Sequence, residues 1–326
     1  SDLHAAGPRL AYVLFTSGST GRPKGVAMGE GPLRHLIHWH VAHPRLGQAA
    51  RTLQFAPLSF DVHFQEIFST VATGGTLVLV PDAQRRDPAL LHRALIDLRV
   101  ERLFVPYVAL QMIADASRDE APRHLREVVS AGEQLQVSPA IRALFQRLPG
   151  AELHNHYGPT ESHVVTAHDL TGDPAQWPEI PPIGKALPHV QVALREAHDD
   201  GEGFTVGELL LGGETLANGY LGRADLSAER FRTDVGPEPG PGGQTWYLTG
   251  DLVRRDEHGV LTYLGRADQQ VKVDGFRIEP GEIELALMAH ESVKEAVVTA
   301  PELPGAGRQL VAHVVLNPGV AAAAAS

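Results

Sequence analysis

The sequence contains no cysteine. A chain without thiols can form neither a disulfide framework nor a thiolate metal site, and it offers no cysteine nucleophile. This composition suits a protein of the cytoplasm, which is where we expect this one. No apolar run approaches the ~18 residues that a membrane-spanning helix needs, and no signal-peptide pattern is visible. The first residue is Ser1 rather than methionine, so we expect a cut or processed N-terminus.

Positive charge is also scarce. The chain has 28 Lys and Arg residues against 39 Asp and Glu residues, which gives a net charge of −11 at pH 7. An acidic surface argues against a general nucleic-acid binder and against a protein that binds anionic membranes. It does not exclude a phosphate ligand, because a phosphate needs only a local group of donors. Hydrophobic residues make up 43% of the 326 positions. A folded chain of this length, at ~150 residues per domain, predicts about two domains.

The order of apolar segments predicts an α/β fold. Residues 10–16 read as a strand that leads into a polar, glycine-rich loop, and a helical pattern follows at 33–41. Strand and helix patterns then alternate, which favours a sheet that is at least partly parallel and covered by helices. The predicted strands here are 75–80, 102–105, 127–130 and 152–156, and the predicted helices are one that begins at Pro88, 107–116 and 138–148.

The texture of the sequence changes from about Asp169. Glycine and proline become dense, and short strand patterns replace helices at 190–194, 208–211 and 260–264. We therefore expect a β-rich subdomain after the β/α layers. A further unit begins near 265–268, with a predicted helix at 282–288 and a predicted strand at 297–300.

The most informative segment is TSGSTGRPKG at positions 16–25. Its three glycines let the backbone approach an anion closely, while four hydroxyls and a run of N–H groups can donate to phosphate oxygens. Lys24 adds positive charge. The segment is not a Walker A loop, because Pro23 precedes the lysine and no Gly-Lys-Ser/Thr sequence follows. A surface turn rich in small residues is the alternative, and the strand before the loop favours phosphate binding over it.

This segment resembles the signature loop of the adenylate-forming enzymes, which include acyl-CoA synthetases, luciferases and the adenylation domains of nonribosomal peptide synthetases. Other segments resemble motifs of the peptide-synthetase branch in the family's order, and together they cover residues 10–315. These segments are LSFDVHFQEIF (58–68), HNHYGPTE (154–161), GELLLGGETLANGYLGR (207–223), YLTGDL (247–252) and GRADQQVKVDGFRIEPGEIE (265–284).

The resemblance implies a large α/β adenylate-forming core, with a β/α layered subdomain and a β-rich subdomain, followed by a hinge and the start of a small α+β C-terminal subdomain. We place the core at 1–266 and the C-terminal subdomain at 267–326. The family has a further region before the phosphate loop and a C-terminal motif with a catalytic lysine. Neither is found here, so we expect a chain that is truncated at both ends.

The implied reaction joins a carboxylate to the α-phosphate of ATP and releases pyrophosphate. An anion must approach a polyanion in this reaction, so catalysis rests on positioning and on charge screening, for which Mg²⁺ is expected. By resemblance Thr160 contacts the α-phosphate and Glu161 binds Mg²⁺. The resemblance assigns the pyrophosphate end of ATP to Thr16, Ser17, Gly18, Ser19, Thr20, Gly21 and Lys24.

Four more residues are assigned to the nucleoside by the same resemblance. Asn155 would bond the adenine and Tyr157 would stack on it, while Asp251 would accept hydrogen bonds from the ribose hydroxyls. Arg266 would lie near the ribose or the phosphates. For Glu161 and Asp251 the alternatives are a solvated surface acid and a turn residue.

The acid that is activated is predicted from Asp61. This residue falls on the family position that pairs with the α-ammonium group of an amino acid, and a buried carboxylate needs such a partner. A helix-capping or structural aspartate is the alternative. The remaining pocket positions carried over from the family are Val62, Gln65, Phe104, Val129, Ala131, His156, Val164 and Val165.

This set resembles the specificity pattern of proline-activating domains. Small apolar walls suit a compact aliphatic ring, and Phe104 offers a flat face to it. Substituted prolines and pipecolate differ by about one methylene or methyl group, which a hydrophobic pocket discriminates by only ~1–3 kcal/mol. We predict L-proline, with these analogues as alternatives.

The resemblance also implies a second step, in which the acyl group passes to the phosphopantetheine thiol of a peptidyl carrier protein. Asp268 lies at the family's hinge, and Lys272 follows it as a residue for this step; an ordinary turn pair is the alternative. Two other functions stay open, namely an acyl- or aryl-CoA ligase of the same fold and a catalytically incomplete fragment that only binds nucleotide.

Overall fold

The computed structural model describes residues 9–17, 23–237, 243–268, 270–273, 276–303 and 307–317. Of the predicted site residues, Gly18, Ser19, Thr20 and Gly21 lie outside this set, and so does the side chain of Lys272. Within the described ranges, no helix combines the length and apolarity needed to cross a bilayer.

The chain begins with an antiparallel hairpin that flanks the predicted phosphate loop. Strand β1 (Leu10–Thr16) pairs with β2 (Lys24–Gly29), and helix α1 (Glu30–Ala42) follows directly. β2 also bonds to a later segment through its main chain: Leu221 N donates to the Gly25 carbonyl at 2.8 Å, and Ala27 N donates to the Gly219 carbonyl at 3.0 Å. These bonds bring residues 218–221 alongside the end of the phosphate loop.

The largest sheet in the described part of the chain has seven strands in the order β4-β3-β5-β6-β7-β8-β9. The first five strands in this order are parallel, and β8 and β9 join in antiparallel fashion. The α/β prediction with a partly parallel sheet is thus confirmed. The strands are β3 (Arg51–Leu53), β4 (Thr76–Val78), β5 (Arg102–Val105), β6 (Glu127–Ser130), β7 (Glu152–Tyr157), β8 (Thr166–Leu170) and β9 (Lys185–Ala186).

Helices cover this sheet and bury its apolar side chains. Leu95, Leu103, Ile113 and Leu144 are all fully buried in one cluster between helices and strands, and burial of each such side chain contributes roughly 1.5–3 kcal/mol. The helices are α2 (Val62–Ala72), α3 (Asp82–Arg86), α4 (Pro88–Asp97), α5 (Tyr107–Ala116) and α6 (Pro139–Gln146).

A second sheet forms the predicted β-rich part. Its strands run antiparallel in the order β10-β11-β13-β12, and β14 pairs with β13. A short helix, α7 (Ala224–Arg230), precedes β12. The strands are β10 (Val190–Asp199), β11 (Thr205–Gly213), β12 (Phe231–Arg232), β13 (Trp246–Arg255) and β14 (Leu261–Arg266).

The last described segments form small two-stranded sheets around one helix, α8 (Pro280–Met288). Strand β17 packs on α8, and Val298 N donates to Glu284 Oε1 at 2.8 Å. The ring of Phe276 meets the ring of Phe60 at 5.1 Å, so this region also contacts the larger part. The strands are β15 (Val271–Val273), β16 (Phe276–Ile278), β17 (Val293–Thr299), β18 (Glu302–Leu303), β19 (Gly307–Arg308) and β20 (Val311–Leu316).

Candidate functional site

A cavity of about 560 Å³ lies at the carboxyl ends of the parallel strands. Parallel strands end together at one edge of a sheet, and ligands of open α/β sheets bind there. The segments that follow β3, β5, β6 and β7 all contribute to the wall. The start of α2, the end of β1 and strands β13 and β14 complete it, and Gln270 and Phe276 close it from the last part of the chain.

Nine residues predicted for the site line this cavity, although they come from widely separated parts of the sequence. They are Thr16, Ser17, Asp61, Val62, Phe104, Ala131, Thr160, Asp251 and Arg266.

Nine other predicted residues are buried and do not line this cavity. Val129 packs with Phe104 and Leu46, and Gln65 Nε2 lies 3.3 Å from His40 Nδ1. Asn155 donates its amide to the Pro182 carbonyl at 2.8 Å. These nine are Lys24, Gln65, Val129, Asn155, His156, Tyr157, Glu161, Val164 and Val165.

Asp61 occupies the N-cap position of α2, yet its carboxylate makes no capping hydrogen bond. Among the described residues no side chain bonds to this carboxylate, which lines the cavity beside Val62. The capping alternative is therefore excluded. An unpaired carboxylate in a mostly apolar wall, with Phe104 and Ala131 nearby, suits a cationic ligand.

Asp251 and Arg266 face each other across the β13–β14 pair. Asp251 accepts from the Tyr157 hydroxyl through Oδ2 and from Arg266 Nη1 through Oδ1, the latter at 2.7 Å. Arg266 also forks onto both oxygens of Asp268, each at 2.7 Å. Burial raises the pKa of Tyr157, as does the Asp251 charge, so the phenol stays protonated and donates. Asp251, the predicted ribose acceptor, and Asp268, the predicted hinge residue, therefore both accept from the guanidinium of Arg266.

Glu161 is fully buried beside this cavity. Its Oε1 accepts from the Tyr220 hydroxyl at 2.7 Å and lies 3.5 Å from Lys24 Nζ. The Lys24 ammonium in turn lies 4.7 Å from the centre of the Tyr220 ring. A single carboxylate next to the predicted phosphate site fits Mg²⁺, which is usually bound by one or two carboxylates together with substrate phosphates.

A charged network lies under the site. His154 is buried, with Nδ1 2.7 Å from Asp169 and Nε2 2.8 Å from Glu127. Burial lowers the pKa of His154, but the two carboxylate hydrogen bonds together outweigh burial and raise it. Two positions on, burial lowers the pKa of His156 to about 3, with a further decrease from the His154 charge. The pKa values of the two rings are thus shifted in opposite directions, and His156 is neutral.

This network does not need a metal ion, although His43, His154 and Asp169 cluster closely enough to hold one. His43 Nδ1 accepts from the main-chain N–H of Leu46 at 3.1 Å, so its proton is on Nε2, which lies 3.0 Å from Asp169. In a metal-binding imidazole, by contrast, the nitrogen that does not bind the metal donates its N–H to an acceptor. The cluster is therefore held by hydrogen bonds from His43 and His154 to carboxylate oxygens.

Sequence reasoning missed three residues that shape the site. Tyr220 binds Glu161, and the Nε2–H of His163 donates to the Asp61 carbonyl at 2.9 Å. The carboxylate of Glu66 accepts from Phe55 N at 2.8 Å and so holds the segment after β3 that lines the cavity; burial raises the pKa of Glu66 to about 8. Each contact joins distant parts of the sequence. For Tyr220 and Glu66 the one available signal was a position inside a recognised motif, whereas His163 lies two residues beyond the motif at 154–161.

Known proteins resemble this chain over most of its length. The chain is 39% identical over 317 residues to tyrocidine synthase 2 of Brevibacillus parabrevis, a match that covers 94% of the chain and 8% of that protein. It is 43% identical over 312 residues to phosphinothricin tripeptide synthetase PhsB of Streptomyces viridochromogenes, a match that covers 94% of the chain and 25% of that protein. The chain thus spans a quarter or less of these two relatives.

Solved structures of related proteins also match this chain. The structure of holo-PA1221, a nonribosomal peptide synthetase protein that contains adenylation and PCP domains, matches with a TM-score of 0.78 and 29% identity. The match covers 95% of this chain and 53% of that one. The family model of AMP-binding enzymes matches residues 4–221. The chain therefore belongs to the family of AMP-binding enzymes.

Proposed function

We propose that this chain carries the core of an amino-acid adenylation domain of a nonribosomal peptide synthetase. Its reaction would join the carboxylate of an amino acid to the α-phosphate of ATP, giving an aminoacyl adenylate and pyrophosphate. One observation carries the proposal. A single cavity is lined by Asp61 together with apolar side chains and also by Thr160, Asp251 and Arg266.

In this proposal, the residues that line the cavity have separate tasks. The Asp61 carboxylate pairs with the ammonium group of the amino acid. Asp251 accepts from the ribose hydroxyls once the nucleotide competes with Tyr157 and Arg266 for its oxygens. Holding both substrates in one enclosed space replaces a bimolecular encounter by a fixed geometry.

The phosphate end depends on donors and positive charge. The hydroxyl of Thr16 is buried without a partner in the described part of the chain, which suits a phosphate oxygen as its acceptor. Thr160 would donate to the α-phosphate. Glu161 would hold Mg²⁺, and this ion, when bound, would screen the phosphate charge. The roles of the remaining loop residues, of Asn155 and of Lys272 stay as predicted from the sequence.

We propose L-proline as the amino acid. Val62, Phe104 and Ala131 offer an apolar wall without a charged group for a substrate side chain. A compact ring suits this wall, whereas an acidic or a basic side chain would lose its hydration there without a partner. The other predicted pocket residues are buried and do not line the cavity, namely Gln65, Val129, His156, Val164 and Val165.

The second step and the domain boundary belong to the same proposal. Strands β15 to β20 pair among themselves in the described ranges, which supports a core at 1–266 and a C-terminal subdomain at 267–326. Arg266 and Asp268 would lie at the hinge. The acceptor would be the phosphopantetheine thiol of a peptidyl carrier protein, a partner suggested by relatives that contain adenylation and PCP domains.

The test is the exchange of labelled pyrophosphate into ATP, driven by a panel of amino acids, aryl acids and fatty acids. We expect exchange that depends on L-proline and Mg²⁺, and loss of that exchange in Asp61→Ala. Exchange with an aryl or fatty acid would show a ligase of the alternative type. Binding of ATP by calorimetry without any exchange would show a fragment that only binds nucleotide.

A further inference from the structure

His163 is a buried histidine whose two ring nitrogens are both used within the protein. Its Nδ1 accepts from the main-chain N–H of Val164 at 2.8 Å. Because a main-chain N–H can only donate, the ring proton must be on Nε2, which lies 2.9 Å from the carbonyl oxygen of Asp61. The ring therefore has one defined tautomer and one defined orientation.

The main-chain conformation around His163 is also tightly constrained. His163 has a φ of 58°, in the left-handed region that residues other than glycine rarely adopt. A Cβ on Gly158 would lie 1.7 Å from the His163 carbonyl oxygen, so the loop from 158 to 163 closes tightly on itself. This loop carries Thr160, which lines the cavity. An unfavourable main-chain conformation of this kind persists where the surrounding structure requires it.

Asp61 is the other partner of this bond. Its carbonyl also accepts from Phe64 N at 2.9 Å, in the first turn of α2. Its carboxylate caps nothing and lines the cavity. The direction of that carboxylate is consequently set by the main chain of Asp61 and not by bonds of its own. Among the described side chains, it is the ring of His163 that bonds to this main chain.

We propose that His163 is a positioning residue for amino-acid recognition, holding the Asp61 main chain so that its carboxylate stands at a fixed place relative to Thr160. The bond joins the segment that would bind the ammonium group to the loop that would bind the α-phosphate. The carboxylate of the amino acid must reach that phosphate, so a shift of Asp61 misplaces the reacting atom. This inference rests on the proposed function.

The test separates the side chain from the backbone of His163. Glycine adopts a φ of 58° freely but cannot donate, whereas asparagine tolerates this region and carries an N–H₂ donor. The 326-residue chain and its variants are titrated calorimetrically with AMP and with 5′-O-(N-prolylsulfamoyl)adenosine, a stable analogue of prolyl adenylate. In His163→Gly we expect the affinity for the analogue to fall about tenfold, the usual scale of one hydrogen bond. The affinity for AMP stays within about twofold.

Two controls accompany this comparison. His163→Asn should recover most of the preference for the analogue. Arg99→Gly relieves a similar φ of 51° away from the cavity, and it should leave both affinities unchanged.

The outcomes are distinct. If the wild-type chain prefers the analogue and His163→Gly keeps that preference, the positioning role is wrong. If His163→Gly weakens both ligands equally, the residue is merely structural and the proposal also fails. If the wild-type chain binds AMP and the analogue equally, or binds neither, amino-acid recognition itself fails and the role of His163 falls with it.

Discussion

The hydroxyl of Tyr220 donates to the buried carboxylate of Glu161 at 2.7 Å, although the two residues are 59 positions apart. The contact exists because the main chain of residues 218–221 bonds to β2, which also ends the phosphate loop. It links the motif that contains Glu161 to the motif that contains Tyr220. A buried carboxylate is stable only when its oxygens find donors or cations, and here Tyr220 and Lys24 both serve.

Removal of this hydroxyl should destabilise the fold. In Tyr220→Phe the Glu161 carboxylate loses a donor in a buried site, and we expect the free energy of unfolding to fall by about 1–3 kcal/mol. Urea unfolding followed by tryptophan fluorescence measures this change. The matched control is Tyr12→Phe, since the Tyr12 hydroxyl is buried without a hydrogen-bond partner in the described ranges. Equal losses in the two variants would contradict the role given to the Tyr220 hydroxyl.

Gly158 should tolerate no side chain. In Gly158→Ala the new Cβ would lie 1.7 Å from the His163 carbonyl oxygen, so the loop that carries Thr160 must move. We expect a loss of about 3 kcal/mol in the free energy of unfolding. Gly31→Ala is the control, because nothing lies within 4 Å of its Cβ. That position is inside α1, where alanine stabilises a helix by about 1 kcal/mol relative to glycine. A mild Gly158→Ala variant would mean that the loop adapts.

The two histidines of β7 should titrate in opposite directions. His154 should hold its proton above the ordinary pKa of 6.5, and His156 should stay neutral down to about pH 3. Between about pH 3 and 6.5 the unfolded chain binds a proton at His156 and the folded chain does not, so stability falls as the pH falls. His154 has the opposite sign: its stabilisation is complete below pH 6.5 and is lost as the pH rises through its folded pKa.

NMR titration of ¹⁵N-labelled histidine checks both shifts directly. Urea unfolding between about pH 5 and pH 7 checks the linkage, and His156→Asn should reduce the loss of stability on acidification. Both rings titrating near the ordinary pKa of about 6.5 would show that the network is open to water.

Much of the β/α part was predictable because its strands are buried on both faces and read as short apolar runs. The strands at 102–105 and 127–130 were predicted with the bounds that the structure has. Helix starts were equally clear. Asp87 accepts from two main-chain N–H groups of α4, and Ser138 accepts from Ile141 N at 3.2 Å. Local chemistry alone fixes such features.

Other elements were missed for physical reasons. Strand β2 comes directly after the polar loop, so its short apolar stretch was not recognised as a strand. Helix α2 buries Gln65 and Glu66, so its pattern is not that of an amphipathic surface helix. Strand β13 is interrupted in sequence by Gly250, whose φ of 75° marks an irregularity inside it. In each case contacts from distant segments decide the structure.

The candidate site divides along the same line. Motifs predicted a set of site residues, but they did not predict which of them line the cavity. His163 and Asp61 lie 102 positions apart, and no spacing rule connects them. Phe104 lines the cavity, whereas Val129, its register partner on the neighbouring strand, is buried and does not line it.

Asp61 and Asp87 allow a final, direct separation of structure from function. Both stand at the N-cap of a helix, but Asp87 accepts from Ala89 N at 2.9 Å and Leu90 N at 3.0 Å while the carboxylate of Asp61 caps nothing. Asp87→Ala should lower the free energy of unfolding by about 1 kcal/mol and leave ligand binding unchanged. Asp61→Ala should keep its stability within about 0.5 kcal/mol, as expected where no named contact is lost.

The same two variants should differ in the opposite sense in calorimetry. Asp61→Ala removes the proposed partner of the ammonium group, and we expect its affinity for the prolyl adenylate analogue to fall at least about tenfold with AMP binding kept. If Asp61→Ala instead lost stability like Asp87→Ala and bound the analogue normally, Asp61 would be a structural residue. The unpaired carboxylate in the cavity wall would then need an explanation other than amino-acid binding. A carboxylate that faces an apolar wall is retained only where a ligand or a partner compensates it.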